Sequence, residues 1–240
     1  MIRTLKFAAV VASALVALGA SPALAQTSPY VSGTTGYDVS YPNCSAAPSG
    51  AFGIVGVNGG RAFSYNSCFA SEYSYATAFG TPSAYINTGY SGAYGKNITT
   101  PCSSAPSTIV GRAHRQAWSI GCSEADTSYS HAGVTPTMWW LDVETGNSWS
   151  TSNLTLNQDA IQGATDRFTA LGFSVGVYSD ASFWQTITGP NGWTPNGLAA
   201  EWLAAGQCPT QANPNTGFNS APVWLLQGGT VNGVDSDTAC

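Results

Sequence analysis

Two carboxylic acids two residues apart are the part of this sequence with the clearest chemical potential. Asp142 and Glu144 end the run 137–145, whose aromatic and aliphatic residues predict a buried β-strand entered from Pro136. Residues two apart in a strand share a face, so both carboxyls are predicted to face one site. Burial and mutual repulsion raise carboxyl pKa values, and glycoside cleavage uses a protonated acid beside an ionised one. The alternative is a pair of strand-end acids that are solvated or paired with arginine.

Strands and helices alternate through the first two thirds of the chain, which predicts parallel strands with helices outside them. We therefore expect one domain, residues 26–240, folded as an α/β barrel of TIM type with eight strands and an irregular last third. The predicted strands cover 36–41, 52–57, 83–87, 137–145, 173–178, 198–204, 223–227 and 233–235. The predicted helices cover 67–79, 107–129, 153–171 and 181–188.

Other acids stand at predicted strand ends. Asp38 lies on the first strand, and Asp235 and Asp237 lie on or just after the last. Functional side chains of such barrels gather at the C-terminal ends of the strands, and the first and last strands become neighbours when the barrel closes. These three acids are therefore predicted to share one cleft with Asp142 and Glu144.

Four motifs, in this order along the chain, resemble those of the glycoside hydrolase family 25 lysozymes. They are Gly36-Tyr-Asp38-Val-Ser40, Trp140-Leu-Asp142-Val-Glu144, Gly176-Val-Tyr178-Ser179 and Gly233-Val-Asp235. The resemblance implies a barrel of the β5α5β3 type that cleaves the β-1,4 bond between N-acetylmuramic acid and N-acetylglucosamine. It implies Glu144 as general acid/base and Asp142 as the group that orients the substrate's acetamido group, or as a nucleophile. It also implies Asp38 and Asp235 as acids that hold the site's geometry and charge, and Tyr178 as a cleft tyrosine.

Two strand ends depart from the family pattern. A Lys-Ala-x-Glu-Gly type sequence is replaced by Val57-Asn58-Gly59-Gly60, and a Tyr-His-Phe type motif by Tyr85-Ile-Asn87. Because these positions line the sugar cleft in the family, Asn58 and Tyr85 are candidate substrate contacts and the glycan itself is open. The other candidates are Tyr178, Asp237, and Trp140 and Trp224, whose rings could stack on sugars or pack in the core.

The first 25 residues have the features of a secretory signal. Arg3 and Lys6 precede the apolar run 7–18, and Ala23-Leu-Ala25 is a small-residue cleavage site. We therefore expect residues 1–25 to be removed and the protein to be secreted. No later stretch reaches membrane-spanning length, so no membrane association is expected after removal.

The charge balance limits the partners. Two of the seven basic residues and none of the twelve acids lie in the first 25 positions, so the remaining chain carries a formal net charge of −7. No basic stripe is present to neutralise phosphates, which argues against a nucleic-acid partner. Attraction to an anionic wall is also weakened. A polysaccharide substrate and a monomeric protein are expected.

Six cysteines in an exported chain predict three disulfides. Six cysteines allow fifteen pairings, and proximity and element order favour Cys44 with Cys68, Cys102 with Cys122, and Cys208 with Cys240. With no Cys-x-x-Cys pair and only two histidines, neither a metal nor another cofactor is predicted.

Three functions stay open at this point. The first is a secreted glycoside hydrolase acting on peptidoglycan. The second is a barrel hydrolase acting on another glycan, which the altered second and third strand ends favour. The third is a glycan-binding barrel protein with weak catalysis, against which the presence of both Asp142 and Glu144 argues.

Overall fold

Eight strands and four α-helices make up the computed structural model, which describes residues 26–231 and 233–240. The strands are β1 (Thr35–Val39), β2 (Gly53–Gly56), β3 (Ser83–Asn87), β4 (Trp139–Asp142), β5 (Val175–Ser179), β6 (Ala200–Leu203), β7 (Val223–Val231) and β8 (Val234–Ala239). The helices are α1 (Phe69–Ala76), α2 (Arg112–Ala132), α3 (Leu154–Ala170) and α4 (Ala181–Thr188). The predicted signal, residues 1–25, lies outside the described residues.

The strands form one closed barrel in chain order. β1 to β7 run parallel, and β8 lies antiparallel between β7 and β1 and closes the ring. This confirms the predicted α/β barrel and its eight strands. Among the described residues, β7 and β8 need no helix between them because they are antiparallel and can be joined by a tight turn, whereas the parallel strands β6 and β7 are joined by the long loop 204–222.

The connection between β1 and β2 differs from the other early crossovers. Within the described residues it contains a one-turn 3-10 helix, Tyr41–Asn43, instead of an α-helix. Pro42 and Pro48 lie in this short segment, and proline removes a backbone donor that a longer helix would need. The four α-helices follow β2, β3, β4 and β5.

Side chains of β4 alternate between two cores. Trp139 and Leu141 point outward to the layer between barrel and helices, where Trp139 stacks on Phe168 of α3 with ring centroids 4.3 Å apart. Trp140 points into the barrel, where its ring packs against Trp202 of β6. This alternation places Asp142 on the inward face at the C-terminal end of the strand.

Helices α2 and α3 approach each other at two glycines. A Cβ atom on Gly163 would lie 2.1 Å from the carbonyl oxygen of Trp118, and one on Gly121 would lie 1.7 Å from that of Ala160. No other residue type fits at this backbone contact. The crossing fixes α2, and with it the loop between β3 and α2, against the barrel.

All three predicted disulfides are present in the structure, which confirms the pairing. Cys44–Cys68 links the β1–β2 connection to the start of α1. Cys102–Cys122 fastens the long loop 88–106 to α2. Cys208–Cys240 joins the loop before β7 to the chain end.

Candidate active site

A cavity of about 400 Å³ opens at the C-terminal ends of the parallel strands. Its lining is mainly polar, with four aromatic side chains. The lining residues are Asp38, Ser40, Tyr41, Gly60, Tyr85, Asn87, Asp142, Glu144, Tyr178, Trp202, Gln227 and Asp235. The structure thus brings the acids of the first, fourth and last strands into one cleft.

Asp142 and Glu144 differ in depth. Asp142 ends β4 and is only 6% exposed, whereas Glu144 lies beyond the strand and is half-buried. Two side chains hold the intervening turn, since Trp149 Nε1 donates to the Glu144 carbonyl at 2.7 Å and Asn147 Nδ2 to the Asp142 carbonyl at 3.1 Å. Glu144 is therefore the carboxyl closer to solvent and to an entering substrate.

A pair of asparagines fixes the Asp142 carboxyl. The side-chain amide of Asn87, at the end of β3, donates to Asp142 Oδ2. Asn58 in turn holds the backbone of Asn87, donating from Nδ2 to its carbonyl at 2.9 Å and accepting its N–H at 3.0 Å. The other carboxyl oxygen, Asp142 Oδ1, is buried and has no hydrogen-bond partner among the described residues.

The electrostatics of the pair follow from this difference in depth. Burial, reinforced by the charges of Glu144 and Asp38, raises the pKa of Asp142 well above its usual value. Burial and the charges of Asp180 and Asp235 raise the pKa of Glu144 less strongly. Both carboxyls therefore keep a proton to higher pH than a solvated carboxyl does. The predicted division of roles, an ionised Asp142 beside a protonated Glu144, stays a prediction, since both pKa values are raised.

A second carboxyl pair lies on the β1–β8 side. Asp38 is 7% exposed, and burial, together with the charge of Asp235, raises its pKa to about 7. Asp237 lies against it, fully buried, and accepts a hydrogen bond from Trp202 Nε1 at 2.9 Å. Burial and the neighbouring Asp38 raise the pKa of Asp237 well above normal. A proton on Asp237, donated to Asp38, gives Asp237 Oδ2 the partner that it otherwise lacks.

Gln227 connects this pair to the cleft tyrosine. Its Nε2 donates to Asp38 Oδ2 at 3.1 Å, and its Oε1 accepts from the Tyr178 hydroxyl at 2.7 Å. Burial and the surrounding carboxyls keep the pKa of Tyr178 above its usual value, so the hydroxyl stays protonated. The network fixes the Tyr178 hydroxyl and one oxygen of Asp38 in the cleft.

Four of the predicted site residues do not line the cleft. Trp140 lies two residues before Asp142 on the same inward face, roughly 7 Å deeper, and its Nε1 donates to the Tyr30 hydroxyl at 3.0 Å. Trp224 packs in the same inner core at the start of β7 and is 7% exposed. Neither ring can stack on a sugar, because barrel side chains in these layers are covered by the next layer.

The remaining two support the site from beneath. Asn58 is 1% exposed, and its side-chain amide is hydrogen-bonded to the backbone of Asn87. Asp237 is covered by Asp38 and Trp202 and contacts no open part of the cavity. Both were predicted as substrate contacts from their positions at strand ends, where sequence does not distinguish the cleft surface from the layer below it.

Several cleft residues were not predicted as site residues. Asn87 and Gln227 are the two that touch the carboxyls directly. Both are the last residues of predicted strands, which is the one signal that could have identified them. Tyr41 is likewise the last residue of the predicted strand 36–41, although β1 itself ends at Val39, whereas Ser40 and Gly60 in the loops after β1 and β2 carried no such signal.

The described residues hold no group of three His, Cys, Asp or Glu side chains that could bind a metal ion. In the same part of the chain, none of the helices has both the length and the apolar character needed to cross a bilayer.

Comparison with solved structures shows the fold. A family 25 glycosyl hydrolase from Bacillus anthracis matches with a TM-score of 0.55 and 12% identity, over 92% of this chain and 94% of that one. The spore cortex lytic enzyme SleM of Clostridium perfringens matches with a TM-score of 0.51 and 15% identity, over 86% of this chain and 67% of its own. The modular autolysin LytC of Streptococcus pneumoniae gives 0.53 and 15%, over 85% of this chain and 46% of LytC.

Sequence comparison gives the family. No curated protein matches the chain. Residues 64–218 match the family described as Lysozyme-like protein 1, and this match includes β3 to β6 and both acids of the Asp142–Glu144 pair. Because the match covers more than half of the 240 residues, the chain belongs to the Lysozyme-like protein 1 family, folded as a barrel of the family 25 glycosyl hydrolase type.

Proposed function

We propose that this protein is a secreted glycoside hydrolase that cleaves peptidoglycan strands, with Glu144 as general acid/base. The observation that carries the proposal is the convergence of Asp142 and Glu144 in a polar cleft at the C-terminal end of the barrel. Family membership supports the same reaction class. The three disulfides support an oxidising, extracellular location.

Glu144 is placed to deliver a proton to the leaving oxygen. It is the half-buried member of the pair, and burial and neighbouring charges raise its pKa. A raised pKa keeps a carboxyl protonated closer to neutral pH, as a general acid requires. After the bond breaks, the ionised Glu144 takes a proton from the incoming water.

Asp142 prepares the other side of the scissile bond. Its Oδ2 is occupied by the amide of Asn87, and its buried Oδ1 has no donor among the described residues. An acetamido N–H of the substrate would supply that donor and favour the ionised form of Asp142. The acetamido oxygen can then attack the anomeric carbon, and hydrolysis of the cyclic intermediate retains the configuration.

Binding of substrate thus moves the proton within the pair. Without such a hydrogen bond, the deeper burial of Asp142 raises its pKa. A new hydrogen bond to Oδ1 lowers the pKa of Asp142, and the proton is then favoured on Glu144, where the leaving oxygen needs it. Productive protonation is therefore coupled to the presence of an acetamido group.

Peptidoglycan is the leading substrate. The comparison protein SleM is a spore cortex lytic enzyme, and LytC is an autolysin solved in complex with a synthetic peptidoglycan ligand. Another acetamido-bearing glycan is the second candidate, because Asn58 and Asn87 replace the motifs that the family usually has at the ends of β2 and β3. The unpartnered Asp142 Oδ1 is compatible with both.

The test compares the mature protein with Glu144→Gln on purified peptidoglycan and on a panel of other wall polysaccharides, by reducing ends and product masses. Muropeptides ending in reducing N-acetylmuramic acid, from wild type only, are expected. Release from another glycan alone would replace peptidoglycan as the substrate. A folded wild type that releases nothing in a Glu144-dependent way would refute hydrolysis and leave a glycan-binding protein.

A further inference from the structure

The cleft continues into two further depressions along its β2–β4 side. The first, about 350 Å³, shares Gly60 with the cleft, and the second, about 530 Å³, shares Asn147 and Ser148 with the first. The long loop after β3 and the loop after β4 form their floor, where the backbone N–H of Tyr90 donates to the Ser148 carbonyl at 2.7 Å. The cleft and the two depressions therefore form one groove that begins at the carboxyls of the cleft.

Arg61 borders this groove next to Gly60. It is the one basic side chain among the described residues that line the cleft and the two depressions. Its side chain is exposed and forms no ion pair with any described residue. A cation therefore stands directly beside a cleft that holds four carboxyls.

The loop that carries Arg61 is held rigidly. Ser64 Oγ donates to the Arg61 carbonyl at 2.6 Å and accepts the Gly59 N–H at 2.8 Å. Phe63 has φ of +58°, which is unfavourable for a residue with a bulky side chain, and its ring packs edge-on against Tyr94 across the groove at 5.4 Å. These contacts hold the backbone of Arg61 at the edge of the groove, which reduces the loop entropy lost on binding.

The far end of the groove offers stacking surface. The half-buried ring of Trp149 lines the second depression beside Tyr90, which is only 9% exposed, and the indole Nε1 of Trp149 also donates to the Glu144 carbonyl. An apolar ring surface suits the face of a sugar. The groove thus has a catalytic end, a cationic centre and an aromatic end.

We propose that Arg61 forms a subsite for a carboxylate carried by the glycan strand, on a sugar or on a substituent next to the cleaved bond. This rests on the proposed hydrolysis of a wall polysaccharide and names its substrate class as anionic. The carboxyls of the cleft repel an anionic glycan. The formal net charge of −7 outside the first 25 residues also weakens the attraction of such a glycan to the rest of the protein surface. Arg61 is placed to offset that repulsion at the one point where the strand passes, and its planar guanidinium suits a carboxylate.

The test uses Arg61→Gln and Arg61→Lys, with Arg112→Gln as the control that removes an exposed charge at the start of α2, outside the groove lining. The substrates are purified peptidoglycan and the same material with its carboxyls converted to neutral amides. On native peptidoglycan, Arg61→Gln is expected to lower kcat/KM about 10-fold, Arg61→Lys less, and Arg112→Gln not at all. On the amidated substrate all variants should equal wild type.

Equal effects of Arg61→Gln and Arg112→Gln, or an equal loss on both substrates, would overturn the carboxylate subsite. A second readout is independent of turnover: sedimentation of each protein with the two insoluble glycans at low and high salt. Wild type should bind native glycan more tightly than Arg61→Gln and lose more of that binding in salt. If wild type shows no hydrolysis, the proposed function fails, and the binding difference still decides the role of Arg61.

Discussion

The side-chain amide of Asn87 donates to the carboxylate of Asp142, joining the C-terminal ends of two neighbouring strands at the base of the cleft. A donor to the charged form favours ionisation, whereas burial opposes it. The hydrogen bond from Asn87 therefore lowers the pKa of Asp142, whereas burial raises it. The backbone of Asn87 is itself held on both sides by Asn58.

Asn87→Ala should impair catalysis through Asp142. Without the amide the pKa of Asp142 rises further, so the acid limb of the kcat/KM profile is expected to move to higher pH, with a loss of about 10- to 100-fold near neutral pH. The measurement is the pH profile of both proteins. Asn97→Ala, outside the cleft lining, is the matched control. An acid limb that stays in place would contradict the role assigned to Asn87.

Glu144→Gln should stabilise the fold while greatly lowering activity. The charges of Asp180 and Asp235 contribute to the raised pKa of Glu144, so removing its charge relieves repulsion. We expect Tm near pH 7 to rise by about 2–4 °C, the shift that roughly 1 kcal/mol gives in a domain of this size, and kcat to fall by about 100-fold or more.

A variant at Asp126 provides the comparison for the direction of the change in Tm. Asp126 forms an ion pair with Arg167 at 2.5 Å, so Asp126→Asn removes an attraction and should lower Tm. Thermal unfolding of both variants, followed by circular dichroism, makes the comparison. A Glu144→Gln protein less stable than wild type would mean that the half-buried carboxylate stabilises the fold.

Stability should decrease as pH rises towards neutrality. Burial raises the pKa of Asp38 and of Glu201 to about 7, from ordinary values of 3.8 and 4.5. At pH values between the ordinary and the raised pKa, the folded state holds protons that the unfolded chain has released. Raising the pH through this range therefore favours unfolding. The urea midpoint is expected to be higher at about pH 5 than at about pH 7.5.

Asp38→Asn should flatten this dependence. The variant keeps an acceptor for the Gln227 amide but has no proton to lose, so its midpoint should change less between the two pH values. Thr230→Ala is the nearby control. Thr230 donates to Asp235, and both lie outside the buried pair of Asp38 and Asp237, so the urea midpoint of this variant should change with pH as that of wild type does. An Asp38→Asn slope equal to that of wild type would place the titration elsewhere.

Gly163→Ala should destabilise the crossing of α2 and α3. The added methyl would overlap the Trp118 carbonyl, and the two helices must separate to admit it. Overpacking of this kind costs about 1–3 kcal/mol. Gly92→Ala, where an added Cβ meets nothing within 4 Å, is the control. Equal urea midpoints for the two variants would show that the helices separate at little cost.

Much of the barrel could be predicted because its determinants are local. Runs such as 173–178 and the alternation along β4 define strands and their inward faces, and the order of strands and helices limits the topology. The predicted third strand, 83–87, and the helix 181–188 coincide with β3 and α4. The bounds of other elements shifted by a few residues, because tertiary contacts and caps decide where a helix or strand ends.

The composition of the cleft was predicted less completely. Asp142, Glu144, Asp38 and Tyr178 were identified through their motifs and their strand-end positions. Trp140 and Trp224 were misplaced, because the sequence shows that a residue faces inward but not which layer of the barrel it occupies. Gln227 was not identified at all, since its partner Asp38 is 189 residues away along the chain.

The order of the strands and the acids that meet at one end of the barrel could be predicted from the chain alone, since periodicity and spacing are carried by neighbouring residues, and proximity along the chain favoured the correct cysteine pairing. The tertiary structure decided how deeply each acid lies and what it touches. It buries Asp142 more than Glu144, sets Asn87 against one of them and continues the cleft to Arg61. Burial and long-range hydrogen bonds set the pKa values, and both arise only when distant segments pack together.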